Sequence, residues 1–124
     1  MRILVVDDEP AIVQLCTKIL ERAGYDVAGA PNGARALELL QAEPFDLLVA
    51  DFRMPGLNGL EVLTEGLRLR PGLRSLLMTG HGTQEVVQEA FRLGVKDVAF
   101  KPFTPEELLR VVDRIFHEGE GAVR

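Results

Sequence analysis

The chain has a single cysteine, Cys16, which excludes an internal disulfide. Cys16 falls among apolar residues at helical spacing, the setting of a buried, inert thiol rather than a nucleophile. Serine is scarcer than in most chains: Ser75 opens an apolar run and has no Gly-x-Ser-x-Gly turn around it, which argues against serine hydrolase chemistry. Gly80 and Gly82 lack the third glycine of a dinucleotide fingerprint, and no P-loop is present. No apolar run approaches the roughly 20 residues of a membrane span, or the apolar core of a signal peptide near Met1, so a cytoplasmic chain is expected. Positive charge is also short. Fourteen bases against 19 acids give a net charge of −5, which disfavours non-specific nucleic-acid binding. There is no internal repeat, low-complexity tract or linker before Gly119.

What is present is an alternation. At 124 residues the chain is one domain by size, and 47% hydrophobic with 27% charged residues is an ordinary globular composition. Five short apolar runs alternate with five amphipathic stretches, the pattern of βαβ units with a parallel sheet. The first helix carries Ile12, Leu15, Cys16, Ile19 and Ala23, with Pro10 in its first turn and Gly24 past its end. Tyr25 to Gly29 is the expected second strand, and Asn32 can cap a helix that must stop before Pro44. Asp46 to Ala50 is the third strand; a Pro- and Gly-bearing loop then leads to a helix through Leu60, Leu63 and Leu67. Ser75 to Met78 is the fourth strand, followed by a helix with Val86, Val87, Ala90 and Phe91 that ends at Gly94. Thr104, Pro105 and Glu107 supply an N-cap, an N1 proline and a capping-box glutamate for the last helix. The expected boundaries are 1–118 for the domain and 119–124 for a tail or the start of a linker.

Three acids close apolar runs: Asp7 and Asp8 follow Ile3-Leu4-Val5-Val6, and Asp51 follows Leu47-Leu48-Val49-Ala50. Runs of this kind read as buried parallel strands, and ligands of open α/β sheets sit outside the carboxyl ends of the strands. Thr79 and Lys101 also follow apolar runs, so three carboxylates, a hydroxyl and an ammonium converge at one edge. Crowded carboxylates repel one another, and a dication such as magnesium, which takes oxygen ligands and phosphate, keeps them ionised. An aspartate beside that metal can attack a phosphoryl donor to form an acyl phosphate, with Lys101 and Thr79 on the phosphoryl oxygens. Each residue alone has a plainer reading. Asp7, Asp8 and Glu9 favour a helix N-terminus, His117 a helix C-terminus, and Thr79, Lys101, Arg53 and His81 could be ordinary loop or surface groups. The plain readings do not account for the set arriving at one edge.

Taken in order, Asp7-Asp8-Glu9-Pro10, Asp51 with Met54-Pro55-Gly56 and Gly59, Thr79-Gly80-His81-Gly82, and Lys101-Pro102-Phe103 resemble the receiver domains of two-component response regulators. The resemblance covers Arg2 to about His117. It implies a flavodoxin-like, doubly wound five-stranded parallel sheet of order 2-1-3-4-5 with helices on both faces. It implies that Asp51 accepts a phosphoryl group from a sensor histidine kinase or a phosphotransfer protein. Magnesium would be held by Asp7, Asp8, Asp51 and the Arg53 backbone carbonyl. Thr79 and Lys101 are then the switch and phosphate-binding residues, Arg53 and His81 gate the hydrolytic water, and the bond before Pro102 is cis. Such a chain is a signalling domain that catalyses only its own phosphorylation and dephosphorylation, and it acts on a partner or on an output domain outside these residues.

One position departs from the family pattern: Val98 stands where an aromatic switch residue is usual, with Phe100 two residues along the same strand face. A readout through the surface of helix four, strand five and helix five is therefore expected. Arg92, Lys96, Asp97, Arg110 and Asp113 give that surface both charge signs, as a two-fold homodimer needs. No direct contact with nucleic acid or membrane is expected. Two alternatives remain at this point: a magnesium-dependent aspartyl-phosphate phosphohydrolase, and an interaction module that works without phosphorylation. The first usually has an acid two residues after its nucleophile, where this chain has Arg53.

Overall fold

The computed structural model describes residues 1–80 and 82–121, the last four by backbone alone. Five strands and five helices alternate along it. They are β1 (Arg2–Val6), α1 (Pro10–Arg22), β2 (Asp26–Ala30), α2 (Gly33–Ala42), β3 (Leu47–Asp51), α3 (Gly59–Leu69), β4 (Arg74–Thr79), α4 (Gln84–Arg92), β5 (Asp97–Phe100) and α5 (Pro105–Gly121). The sheet is parallel throughout, in the order β2-β1-β3-β4-β5. Register places Val6 beside Ala50, Asp51 beside Met78, and Thr79 beside Phe100, so the strands end together on one edge.

Side-chain alternation along the strands divides the core in two. Ile3, Val5, Leu47, Val49, Leu76, Met78 and Ala99 face α1 and α5, which contribute Cys16, Ile19, Leu20, Leu108, Val112, Ile115 and Phe116. Leu4, Val6, Leu48, Ala50, Leu77 and Val98 face the opposite way, toward Ala36 and Leu40 of α2, Val62 and Leu63 of α3, and Ala90 of α4. Both faces being covered explains why the strands read as unbroken apolar runs.

Local chemistry sets the helix ends. The Asn32 side chain accepts the Arg35 N–H (2.8 Å), and Thr83 Oγ1 accepts the Val86 N–H (3.2 Å). Asn58 with Glu61 and Thr104 with Glu107 form reciprocal capping boxes. α2 stops at Ala42 before Pro44, and its last carbonyls find a distant partner: Arg70, just past α3, donates from Nε to Leu40 O (2.8 Å) and from Nη2 to Gln41 O (3.3 Å).

Some sequence expectations shift. Tyr25 lies outside β2 because its ring packs against Phe116 (centroids 5.4 Å apart) and its hydroxyl donates to Asp113. Leu15 and Phe91 carry helical spacing yet are about half exposed, at 45% and 47%. Both sit on the flank of the buried stripe, and in α4 Ala90 is the only fully buried residue, which turns Phe91 outward by about 100°. α5 continues as helix through Gly119 and Glu120 to Gly121, across the stretch expected as a tail.

Candidate functional site

The acidic edge is built by β1 and β3. Asp7 leaves β1 fully buried; its Oδ1 accepts the Glu9 N–H (2.9 Å), which fixes the carboxylate against the start of α1. Asp51 ends β3 at 6% exposure, while Asp8 is exposed. One carboxylate oxygen from each of Asp7, Asp8 and Asp51 lies within 4.8 Å of the others. Oxygen donors in this number suit a hard dication, so the three acids fit the metal that the sequence calls for.

Lys101 enters from the end of β5. Its backbone N–H donates to Thr79 O (2.8 Å), and its ammonium reaches across the edge to Asp7 Oδ2 (2.9 Å) and Asp51 Oδ1 (3.0 Å). The peptide bond that follows, Lys101–Pro102, is cis. Burial works against the ammonium, but hydrogen bonds to Asp7 and Asp51 and the charges of both outweigh it and hold the lysine pKa above its ordinary value. Asp51 is also pushed up, first by its own burial and then by the charges of Asp7 and Asp8, against the opposing pull of Lys101. The directions are compatible. The lysine stays charged, and the carboxylate carries more burial and like charge than one ammonium offsets. Three carboxylates against one ammonium leave the cluster short of positive charge.

Thr79 closes β4 at 1% exposure, on the strand that neighbours β3. The five residues singled out in the sequence, Asp7, Asp8, Asp51, Thr79 and Lys101, thus share one edge. Arg53 is exposed in the loop after Asp51, on a surface hollow with Phe52, Met54, Pro55 and Asn58. His81 lies outside the described residues. Val98 is buried in the core, whereas Phe100 is 53% exposed.

Two glycines matter more than their reading as loop markers. The Gly59 N–H donates to Phe52 O (2.9 Å), and α3 starts so close to β3 that a Cβ at Gly59 would overlap the Asp51 carbonyl oxygen and lie 2.9 Å from its carbon. At Gly82 a Cβ would overlap the ring edge of Phe100. In the sequence both stand within the motifs that carry the family resemblance, but nothing there marks the close approach that requires a glycine.

With this geometry established, comparison with known proteins gives a single answer. The profile of the family described as response regulator receiver domain matches residues 3–113. The chain belongs to that family, and it is a receiver domain of two-component signal transduction. It is similar to chemotaxis protein CheY of Thermotoga maritima, with 32% identity over 115 residues, 92% of this chain and 96% of that protein. Sporulation initiation phosphotransferase F of Bacillus subtilis is 32% identical over 113 residues, 91% of each chain. Alginate biosynthesis transcriptional regulatory protein AlgB of Pseudomonas putida is 39% identical over 107 residues, which are 86% of this chain but 24% of that longer protein. Among solved structures, a CheY-like receiver domain protein from Methanospirillum hungatei superposes with a TM-score of 0.91 at 32% identity, covering 98% of this chain and 97% of that one. No helix among the described residues is long and apolar enough to cross a membrane.

Proposed function

We propose that the chain accepts a phosphoryl group on Asp51 from a phosphohistidine of a sensor kinase or a phosphotransfer protein, in the cytoplasm, with magnesium bound. The observation that carries the reading is the shared edge of Asp7, Asp8 and Asp51 with Lys101 bridging two of them. Asp7, Asp8, Asp51 and the Arg53 backbone carbonyl hold the cation. When bound, it neutralises charge that develops on the transferred oxygens. An Asp51 oxygen attacks phosphorus, the P–N bond to the donor imidazole breaks with its electron pair returning to the ring, and an acyl phosphate forms. Lys101 supplies a point charge to one phosphoryl oxygen and the Thr79 hydroxyl donates to another. Water later cleaves the acyl phosphate, with Arg53 and His81 controlling its access. The domain therefore turns over only its own phosphoryl group. An exposed arginine two residues after Asp51, where a phosphohydrolase places an acid, supports this over the enzymatic alternative.

Residues 1–118 form the receiver unit in this reading, and residues 119–124 are a tail or the start of a linker. A homodimer through α4, β5 and α5 is the second part of the proposal. Arg92 pairs with Glu89, Asp97 with Arg114, and Asp113 with Tyr25, so these groups must exchange partners to serve the interface. Sedimentation with and without beryllofluoride, a phosphoryl mimic, tests it; an unchanged monomer at high concentration assigns the output to a different protein or to an output domain outside these residues. For the phosphoacceptor itself, acetyl phosphate with magnesium should add one phosphoryl group by mass spectrometry, lost in Asp51→Asn and in excess chelator. An undiminished adduct in Asp51→Asn refutes the assignment.

A further inference from the structure

The dipeptide Asn-Gly occurs twice, as Asn32-Gly33 and Asn58-Gly59, and each asparagine is the N-cap of the helix that its glycine begins. Asparagine is a thermolabile residue, and a glycine after it leaves the next backbone nitrogen open to the side-chain carboxamide. The two pairs share an extended backbone, with ψ of 171° at Asn32 and 170° at Asn58. They differ in how the glycine nitrogen is held. The Gly59 N–H donates to Phe52 O (2.9 Å), and Asn58 is fixed twice, its side chain accepting the Glu61 N–H and its own N–H donating to the Glu61 carboxylate. The Gly33 N–H has no partner among the described residues, being one of the orphan donors of a first helical turn. One side-chain bond, accepted from the Arg35 N–H (2.8 Å), holds Asn32. Asn32 is exposed, and with Gly33 it lines an open hollow whose wall also carries Asp8.

We propose that Asn32 is a site of spontaneous modification, at which deamidation adds a fourth carboxylate to the acidic edge; its consequence for the cation rests on the phosphoacceptor reading. When the first turn of α2 opens, hydroxide takes the Gly33 amide proton and the nitrogen attacks Asn32 Cγ. The new N–Cγ bond closes a cyclic imide, the Cγ–Nδ2 bond breaks, and ammonia leaves with a proton from water, which returns the hydroxide. Water then adds to one of the two imide carbonyls. Opening at Cγ leaves aspartate in an ordinary chain, which caps α2 as asparagine does. Opening at the backbone carbonyl leaves isoaspartate, and displaces the oxygen that accepts the Ala36 N–H (3.1 Å). Either product carries a negative charge into the hollow beside Asp8, where three carboxylates already face one ammonium, and a dication at that edge gains from it. The hydrogen bond at the Gly59 nitrogen and the reciprocal capping box hold Asn58 out of the same chemistry.

The test ages the full chain at mildly alkaline pH for days, folded and in urea, and reads each asparagine by peptide mapping with mass spectrometry. In the folded chain the Asn32 peptide should gain the mass of an amide turned to an acid about ten-fold faster than the Asn58 peptide, the factor of one hydrogen bond at the glycine nitrogen. In urea the two should react alike. Asn32→Ser, which keeps a cap, should abolish the fast component. Equal rates in the folded chain, a folded chain in which neither peptide changes, or a difference that persists in urea overturns the assignment. Asn32→Asp carries the product's charge and should bind magnesium about two-fold tighter at low salt, in an NMR titration read at the Asp51 amide. An unchanged midpoint overturns the link between the modification and the acidic edge. If the wild-type Asp51 amide does not respond to magnesium at all, the phosphoacceptor reading falls, while the mass measurement still decides the modification.

Discussion

Lys101→Met removes an ammonium that lies 2.9 Å from Asp7 and 3.0 Å from Asp51, and leaves two buried carboxylates facing each other. At such distances each contact is worth on the order of 5 kcal/mol at an effective dielectric of ~20, before the cost of desolvating the lysine is set against it. Deleting one member of a buried pair typically costs about 3–5 kcal/mol. The side chains of Lys101 and Asp51 keep 18% and 8% exposure, so water relieves part of the strain and the lower end applies, about 3 kcal/mol without metal. For a domain of this size that is a fall in Tm of roughly 12 °C. Magnesium changes the outcome. A dication among the same three acids replaces the lost charge, and because the variant has no ammonium competing for that space, it binds the metal more tightly. The deficit should shrink to about 1 kcal/mol at saturating magnesium. Thermal unfolding followed by circular dichroism, with chelator and then with excess magnesium chloride, measures both. An equal loss in the two conditions, or less than about 1 kcal/mol in chelator, would refute the account of the site as a charge cluster that metal and lysine share.

Three smaller perturbations follow from other parts of the molecule. The Ser75 hydroxyl is fully buried with no hydrogen-bond partner, so Ser75→Ala should raise stability by about 1 kcal/mol in urea unfolding; a loss of that size would show a partner that the geometry does not contain. Tyr25 is pushed up to about 12 by burial and by its hydrogen bond to Asp113. Since the folded pKa lies above the unfolded one, its stabilisation is complete below pH ~10 and is lost as pH rises toward ~12. Tyr25→Phe should flatten stability across that window and cost about 1 kcal/mol below it; an unchanged alkaline slope would assign the slope to other groups. Gly59→Ala should push α3 off the Asp51 backbone and weaken magnesium binding by about ten-fold in a titration read at the Asp51 amide, and wild-type affinity would mean that the helix start yields without moving the carboxylate.

The parts of the fold that were legible in the sequence are those coded by neighbours. An apolar run closed by an acid is a local pattern, and it placed Asp7, Asp8 and Asp51 at strand ends. Asn32 and Thr104 cap helices through residues three positions away, and Pro44 limits α2 from two residues off. Contacts between distant segments were not legible. The Lys101–Asp7 pair spans 94 positions, and the convergence at the edge told which residues meet but not that the ammonium takes two acids rather than one. Arg70 reaches the end of α2 from 30 positions away, and nothing in its own surroundings marks it as a cap. The outward turn of Leu15 and Phe91 depends on how much of each helix the sheet covers, which is a tertiary quantity. Periodicity locates a stripe but does not set its width. Phe100 shows the same limit, since strand alternation put it on the face of Val98 while the sheet's end exposed it.

The helices are unevenly anchored. α1 sinks Cys16, Ile19 and Leu20 into the core, α3 sinks Gly59, Val62, Leu63 and Gly66, and Arg70 ties the ends of α2 and α3 to each other. α4 has Ala90 alone as a fully buried residue. An element with few buried apolar contacts costs little to displace. The domain is therefore stiff on one flank and compliant on the other, and the compliant flank begins where Thr79 ends. A push delivered at the acidic edge has a direction of least resistance, set by how firmly each helix is rooted and requiring no dedicated chain of side chains to carry it.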